Sequence, residues 1–142
     1  MSLNHFIKMG KIQRGVTLIE VLVTLIILAV GLLGLLSLQT ISLKNNHSAQ
    51  QRTVATMHAY DLLDRIRLNT SADYTLNFGA TISGSTLKDT DLTEWTTNIA
   101  ADLPAGDGAV VISGDIVTVS VRWDDSRGAG GNIQTFTVST QR

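Results

Sequence analysis

The chain has 142 residues, no cysteine, 5% aromatic residues and a formal charge of −1. That leaves room for one modest domain beside a membrane segment, and it excludes disulfides, thiol nucleophiles and thiolate metal ligands. A near-neutral balance also argues against a general nucleic-acid binder, so no nucleic-acid partner is expected.

The first segment is basic: Lys8, Lys11 and Arg14 stand without an acidic neighbour, and the segment ends at Gly15. An apolar run from Val16 to Leu38 follows, with a single carboxylate, Glu20, near its start. A secretory signal peptide has an apolar core of about 7–15 residues and a small-residue cleavage site after it. The core from Val21 to Leu38 is longer, and His47-Ser48-Ala49 is a poor cleavage site. A membrane anchor fits better, since about 20 apolar residues span a bilayer. The basic residues precede the span and only Lys44 follows closely, so the positive-inside rule keeps the start cytoplasmic and sends the C-terminus out. An ionisable group inside such a span costs roughly 2.5–3.5 kcal/mol at its centre and less near the interface, where a helix N-terminus also favours a carboxylate.

The run Arg14-Gly15-Val16-Thr17-Leu18-Ile19-Glu20-Val21-Leu22-Val23 resembles the N-terminus of type IV pilin precursors. The resemblance implies cleavage by a prepilin peptidase between Gly15 and Val16, N-methylation of Val16, and an assembly role for Glu20. The family usually has phenylalanine as its first mature residue; here it is Val16. A carboxylate in hydrocarbon needs a partner, and the apolar run offers none. The resemblance supplies one, the N-terminal amine of a neighbouring subunit. Loss of the leader takes three basic side chains away and moves the charge from −1 to −4.

Beyond Val16 the pattern predicts a helix reaching about Leu68, interrupted only by Gly31 and Gly34, which read as weak points or close-packing positions. Ala55, Ala59, Leu62 and Ile66 fall on one face, and Asp61 with Arg65 forms an i,i+4 pair. Such a helix would be roughly 80 Å long, too long for a small globule. Residues 70–90 read as a loop rich in Thr, Ser, Asn and Gly, pinned by Tyr74, Leu76 and Phe78 or forming a short edge strand there. Asp91-Leu92-Thr93-Glu94 fits a capping arrangement opening a second helix, with Leu92, Trp95, Ile99 and Leu103 on one face and Pro104 at the stop. Three strands follow: Ala109–Ile112, then Ile116–Trp123 with Val117, Val119, Val121 and Trp123 on one side, then Ile133–Thr140. Short connections imply an antiparallel meander covered by the Ala55-to-Ile66 face. The expected class is α+β with a type IV pilin-like fold: a leader at 1–15, a membrane-spanning and filament-core half-helix at 16–38, and a periplasmic head at 39–142.

Later segments narrow the resemblance. Asp61 to Asn69, Trp95 with Leu103-Pro104-Ala105-Gly106, and Val119 to Asp124 resemble the minor pilin family PilV. That implies a priming or tip-complex subunit of the pilus, with other minor pilins and the major pilin as partners, located first in the inner membrane and then in the extracellular pilus. A minor pseudopilin of a type II secretion system has the same N-terminal motif and plan, and is the alternative.

Enzyme chemistry finds little support. His5 lies in the leader, and His47 and His58 are about 16 Å apart along a helix, so both read as solvated and neither as a metal ligand. No G-x-S-x-G elbow occurs. Asp61, Asp64, Asp124 and Asp125 read as surface charge, and Asp124-Asp125-Ser126 with Asn132 as a hairpin loop, because the glycine and terminal glutamate of a calcium loop are missing. No cofactor, metal or catalytic residue is expected. Trp95 and Trp123 read as core and not as a ligand platform.

Overall fold

The computed structural model describes residues 15–129 and 131–141, so Lys8, Lys11, Arg14 and His5 lie outside the described residues. The elements are α1 (Leu18–Leu68), α2 (Leu87–Asp102), β1 (Asp107–Ser113), β2 (Ile116–Asp124) and β3 (Ile133–Gln141). This is an α+β chain with a long N-terminal helix and a small antiparallel sheet, consistent with a pilin-like fold. It divides into two compact units, Met1–Leu38 and Gln39–Arg142.

In the first unit every described residue is exposed. The most apolar 18-residue window of α1 has a mean hydropathy of 2.9 and no buried residue. Its hydroxyls are turned onto their own helix: Thr24 donates to the Val21 carbonyl at 2.8 Å and Ser37 to the Leu33 carbonyl at 3.1 Å. Such back-bonding satisfies a hydroxyl without water. No atom lies within 4 Å of a Cβ placed on Gly31 or Gly34.

In the second unit the same helix turns amphipathic. Ala55, Ala59, Leu62 and Ile66 are buried, together with Leu63. They join Leu92, Trp95, Ile99 and Leu103 around α2 and the inner side of β2. Val117, Val119, Val121 and Trp123 alternate with half-exposed residues, as period two requires of a strand covered on one face. The sheet order is β1-β2-β3, antiparallel throughout. Gly114 and Asp115 make the two-residue connection from β1 to β2, and Gly114 supplies the positive φ (59°) such a turn uses. On the outer face hydroxyls pair across strands, Thr118 with Ser139 at 2.9 Å and Ser120 with Thr137 at 3.0 Å.

One expectation is corrected, and for the preceding loop one of two readings is decided. Helix α2 opens at Leu87, four residues before Asp91. Thr86 is its N-cap: the Asp89 N–H donates to the Thr86 hydroxyl oxygen at 3.3 Å, and the Thr86 N–H donates back to the Asp89 carboxylate at 3.1 Å. Asp91 and Glu94 lie inside the helix, and their carboxylates are drawn to Arg65 on α1, at 3.2 and 3.0 Å. The loop before α2 forms no edge strand. Leu76 makes one bridge to Val110, with reciprocal bonds of 2.9 and 2.8 Å. Tyr74 and Leu76 are buried, and Phe78 lies 4.3 Å beneath the Arg122 guanidinium.

Leu103 to Gly106 close α2 with a turn in which the Gly106 N–H donates to the Leu103 carbonyl at 3.0 Å. Pro104 fits the second position of such a turn. Ala105 occupies the third with φ +48°, a conformation glycine adopts more readily. Gly106 must be glycine because an added Cβ would strike the Ile99 carbonyl and lie 2.9 Å from Leu103 Cβ.

Candidate functional site: the start of the long helix

Gly15, Val16 and Thr17 precede α1 and are outside any helix. The apolar pattern alone starts the helix at about Val16; the observed start is Leu18 because Thr17 is an N-cap. Its carbonyl accepts from the Val21 N–H at 3.2 Å, closing the first helical ring. Its side-chain oxygen accepts from the Glu20 N–H at 3.3 Å. An N-cap hydroxyl that takes up the third helical N–H satisfies one of the four orphan donors at a helix start. The signal was present in the sequence: Thr17-Leu18-Ile19-Glu20 has the spacing of a capping box.

Gly15 carries no positive φ, and nothing lies within 4 Å of a Cβ built upon it. No feature of the described fold therefore requires glycine there. Val16 is 69% exposed, Leu18 91% and Ile19 65%, so these residues after the glycine are uncovered. Glu20 is exposed too, and among the described residues its carboxylate has no hydrogen-bond or ion-pair partner. Among the described residues, the helix start thus presents a glycine, an exposed chain segment and one acid without an ion-pair partner in fixed register.

The second unit holds the polar residues considered as chemistry. His47 is exposed, as expected. His58 is not a solvated residue: its side chain is 15% exposed and its Nε2 sits 3.0 Å from the Asp102 carboxylate at the end of α2. Its carbonyl accepts from the Trp95 indole N–H at 2.9 Å, so the residue joins α1 to α2 through both side chain and backbone. Asp125 is also not surface charge. It is 2% exposed and accepts from the Ser48 hydroxyl at 2.6 Å, while the Ala129 N–H donates to the same hydroxyl oxygen at 2.7 Å. Ser48, projecting from α1, thereby fixes the glycine-rich turn after β2. Asp124 accepts from the Ser126 N–H at 2.8 Å, which holds its carboxyl below the ordinary range. Among the described residues, no group of three or more histidine or acidic side chains is placed to hold a metal ion.

Arg65 is the electrostatic centre of this unit. It contacts Asp61 (3.1 Å), Asp91 and Glu94, and the hydrogen bond to Glu94 leads in raising its pKa above the ordinary guanidinium value. Tyr74 donates to Asp91 at 2.7 Å, and burial is the first cause that pushes its phenol up. These groups bind α1, α2 and the intervening loop to one another.

The family model described as "Prokaryotic N-terminal methylation motif" matches residues 10–36. No curated protein and no solved structure matches the chain. The match falls on the glycine, the capped helix start, Glu20 and the apolar half of α1. It supports a type IV pilin-like protein, a pilin or pseudopilin, that is processed by a prepilin peptidase and assembles with other pilins. With the long apolar helix it fits membrane anchoring and a structural subunit more than an enzyme.

Proposed function

We propose that the chain is a minor pilin of the PilV kind. In this reading it is cleaved between Gly15 and Val16, methylated on the new N-terminus at Val16, and taken into a type IV pilus as a priming or tip-complex subunit. The observation that carries the reading is the register at the helix start: among the described residues, a glycine the fold does not need, a short uncovered segment, and one carboxylate without a partner at the head of an apolar helix.

Cleavage creates a positive amine at Val16, four residues from Glu20. In hydrocarbon, an amine and a carboxylate each carry a large desolvation cost that pairing relieves. Glu20 of one subunit and the Val16 amine of its neighbour supply that pairing during assembly. Before assembly, residues 16–38 anchor the protein in the inner membrane in a single pass. The leader 1–15 stays in the cytoplasm, and 39–142 forms the periplasmic head. Prepilin peptidase, other minor pilins and the major pilin are the partners.

Intact-mass and N-terminal analysis of the protein from its host tests the processing. The expected chain begins at Val16 with one added methyl group. Retention of Met1 to Gly15 while the peptidase is active refutes it. Deleting the gene separates the pilus role from that of a type II secretion pseudopilin: loss of surface pili supports the proposal, and loss of protein secretion with pili intact overturns it.

A further inference from the structure

The proposed cleavage has a conformational requirement. Inside an α-helix the carbonyl and N–H of a peptide bond are engaged within the helix, so a peptidase must find the bond outside it. The Gly15–Val16 bond is separated from Leu18 by two residues outside the helix, Val16 and Thr17. Thr17 is the residue that sets this boundary. Its hydroxyl oxygen holds the Glu20 N–H at 3.3 Å and its carbonyl receives the first helical bond.

We propose that Thr17 is a positioning residue for processing. By capping α1 it stops the helix at Leu18 and keeps the Gly15–Val16 bond in the open form that the peptidase cuts. The inference rests on the functional reading above and assigns Thr17 a part in it that neither Gly15 nor Glu20 performs. In the cut, water's oxygen bonds to the Gly15 carbonyl carbon and the C–N bond breaks. Gly15 leaves as a carboxylate, and the Val16 nitrogen takes up the proton as the new amine. Thr17 touches none of these atoms. It acts through the population of the open form, to which cleavage is proportional when opening and closing are fast.

Replacing Thr17 by alanine removes the cap and installs the best helix former, so the helix can grow towards the scissile bond. Serine retains a capping hydroxyl. Loss of a typical cap shifts such an equilibrium about fivefold.

The test uses full-length protein in detergent with purified prepilin peptidase, following the mass change at substrate concentrations below KM. Thr17→Ala is expected to be cut more slowly, by up to about fivefold, and Thr17→Ser at the wild-type rate. The urea unfolding midpoint, read by tryptophan fluorescence from the second unit, should be the same for all three. A Thr17→Ala protein cut as fast as wild type overturns the inference and leaves the pilin reading standing. Equal slowing of the serine and alanine variants also overturns it, since the cap would then not be the cause. A wild-type chain left whole by active peptidase removes the functional reading and this inference together.

Discussion

Gly108 lies at the start of β1, directly against the six-membered ring of Trp95. A Cβ added there would overlap Cζ3 and Cη2 of that ring and lie 3.2 Å from Ile99 Cδ1. The ring has little freedom to withdraw. Trp95 is fully buried, and its indole N–H is tied to the His58 carbonyl at 2.9 Å. Forcing extra volume into a packed core costs about 1–3 kcal/mol, and surrendering the indole hydrogen bond adds about 0.5–1.5 kcal/mol. Gly108→Ala should therefore destabilise the second unit by about 2–4 kcal/mol, a large share of the 5–15 kcal/mol typical of a domain. With a urea slope near 2 kcal/mol per molar, the unfolding midpoint should fall by about 1–2 M. Trp95→Phe provides the partner for a double-mutant cycle. A phenyl ring lacks the outer atoms that the new methyl meets, so the same alanine should cost less in that background by at least about 1 kcal/mol. Trp123 remains as the fluorescent reporter. A cost under about 0.5 kcal/mol, or an equal cost in both backgrounds, would show that the contact between glycine and indole does not govern the packing here.

Glu20→Ala should leave the protein in the membrane and processed but depleted from sheared pili on immunoblots; normal incorporation removes the pairing role. Ala105→Gly relieves a left-handed residue costing about 1–2 kcal/mol and returns about 0.4–1 kcal/mol through the looser unfolded chain. The net gain should be roughly 0.5 kcal/mol in urea unfolding, and a loss would show that the turn is unstrained. Asp89 is held below its ordinary value of 3.8, first by the Thr86 hydroxyl and then by the Thr86 N–H. A depressed carboxylate stabilises the fold above its unfolded pKa, and that contribution disappears as pH falls through the lower folded value. Wild-type urea midpoints should accordingly drop below about pH 4, and Asp89→Asn should be weaker at pH 7 with a shallower acid slope.

The core was legible because burial imposes periodicity. Positions 55, 59, 62 and 66 repeat at helical spacing and positions 117 to 123 alternate, and both sets are buried as their patterns require. The antiparallel meander followed from its short connections. What the sequence concealed was polar and long-range. Asp91 and Glu94 have the spacing of a cap, but Arg65, far earlier in the chain, claims both. The true cap, Thr86 with Asp89, sits in a stretch whose Thr and Ser content reads as loop. Asp125 carries the pattern of surface charge, yet it is buried and accepts from Ser48, far back on α1. His58 likewise has no local signal for Asp102, which lies 44 residues away. Partners that lie 26 to 77 residues apart leave no periodic trace, so composition assigns such residues to solvent.

The residues of the helix start show the converse. Trp95, Gly106 and Gly108 are fixed by neighbours, and a change at any of them meets another atom of the same chain. Among the described residues, no atom lies within 4 Å of a Cβ placed on Gly15, Val16 is exposed, and the Glu20 carboxylate has no hydrogen-bond or ion-pair partner. A glycine with free space around it contributes nothing to folding. A carboxylate at the head of an apolar helix is worse than neutral in hydrocarbon until a cation reaches it. Selection for stability alone would replace both. In the proposed function their specificity comes from molecules that this chain meets in sequence, first an enzyme that fits a glycine beside an open peptide bond, then a neighbour whose amine neutralises the acid. Thr17 stands between the two groups: it belongs to the fold as a cap, and in the proposal above that cap sets where the fold ends and the substrate begins.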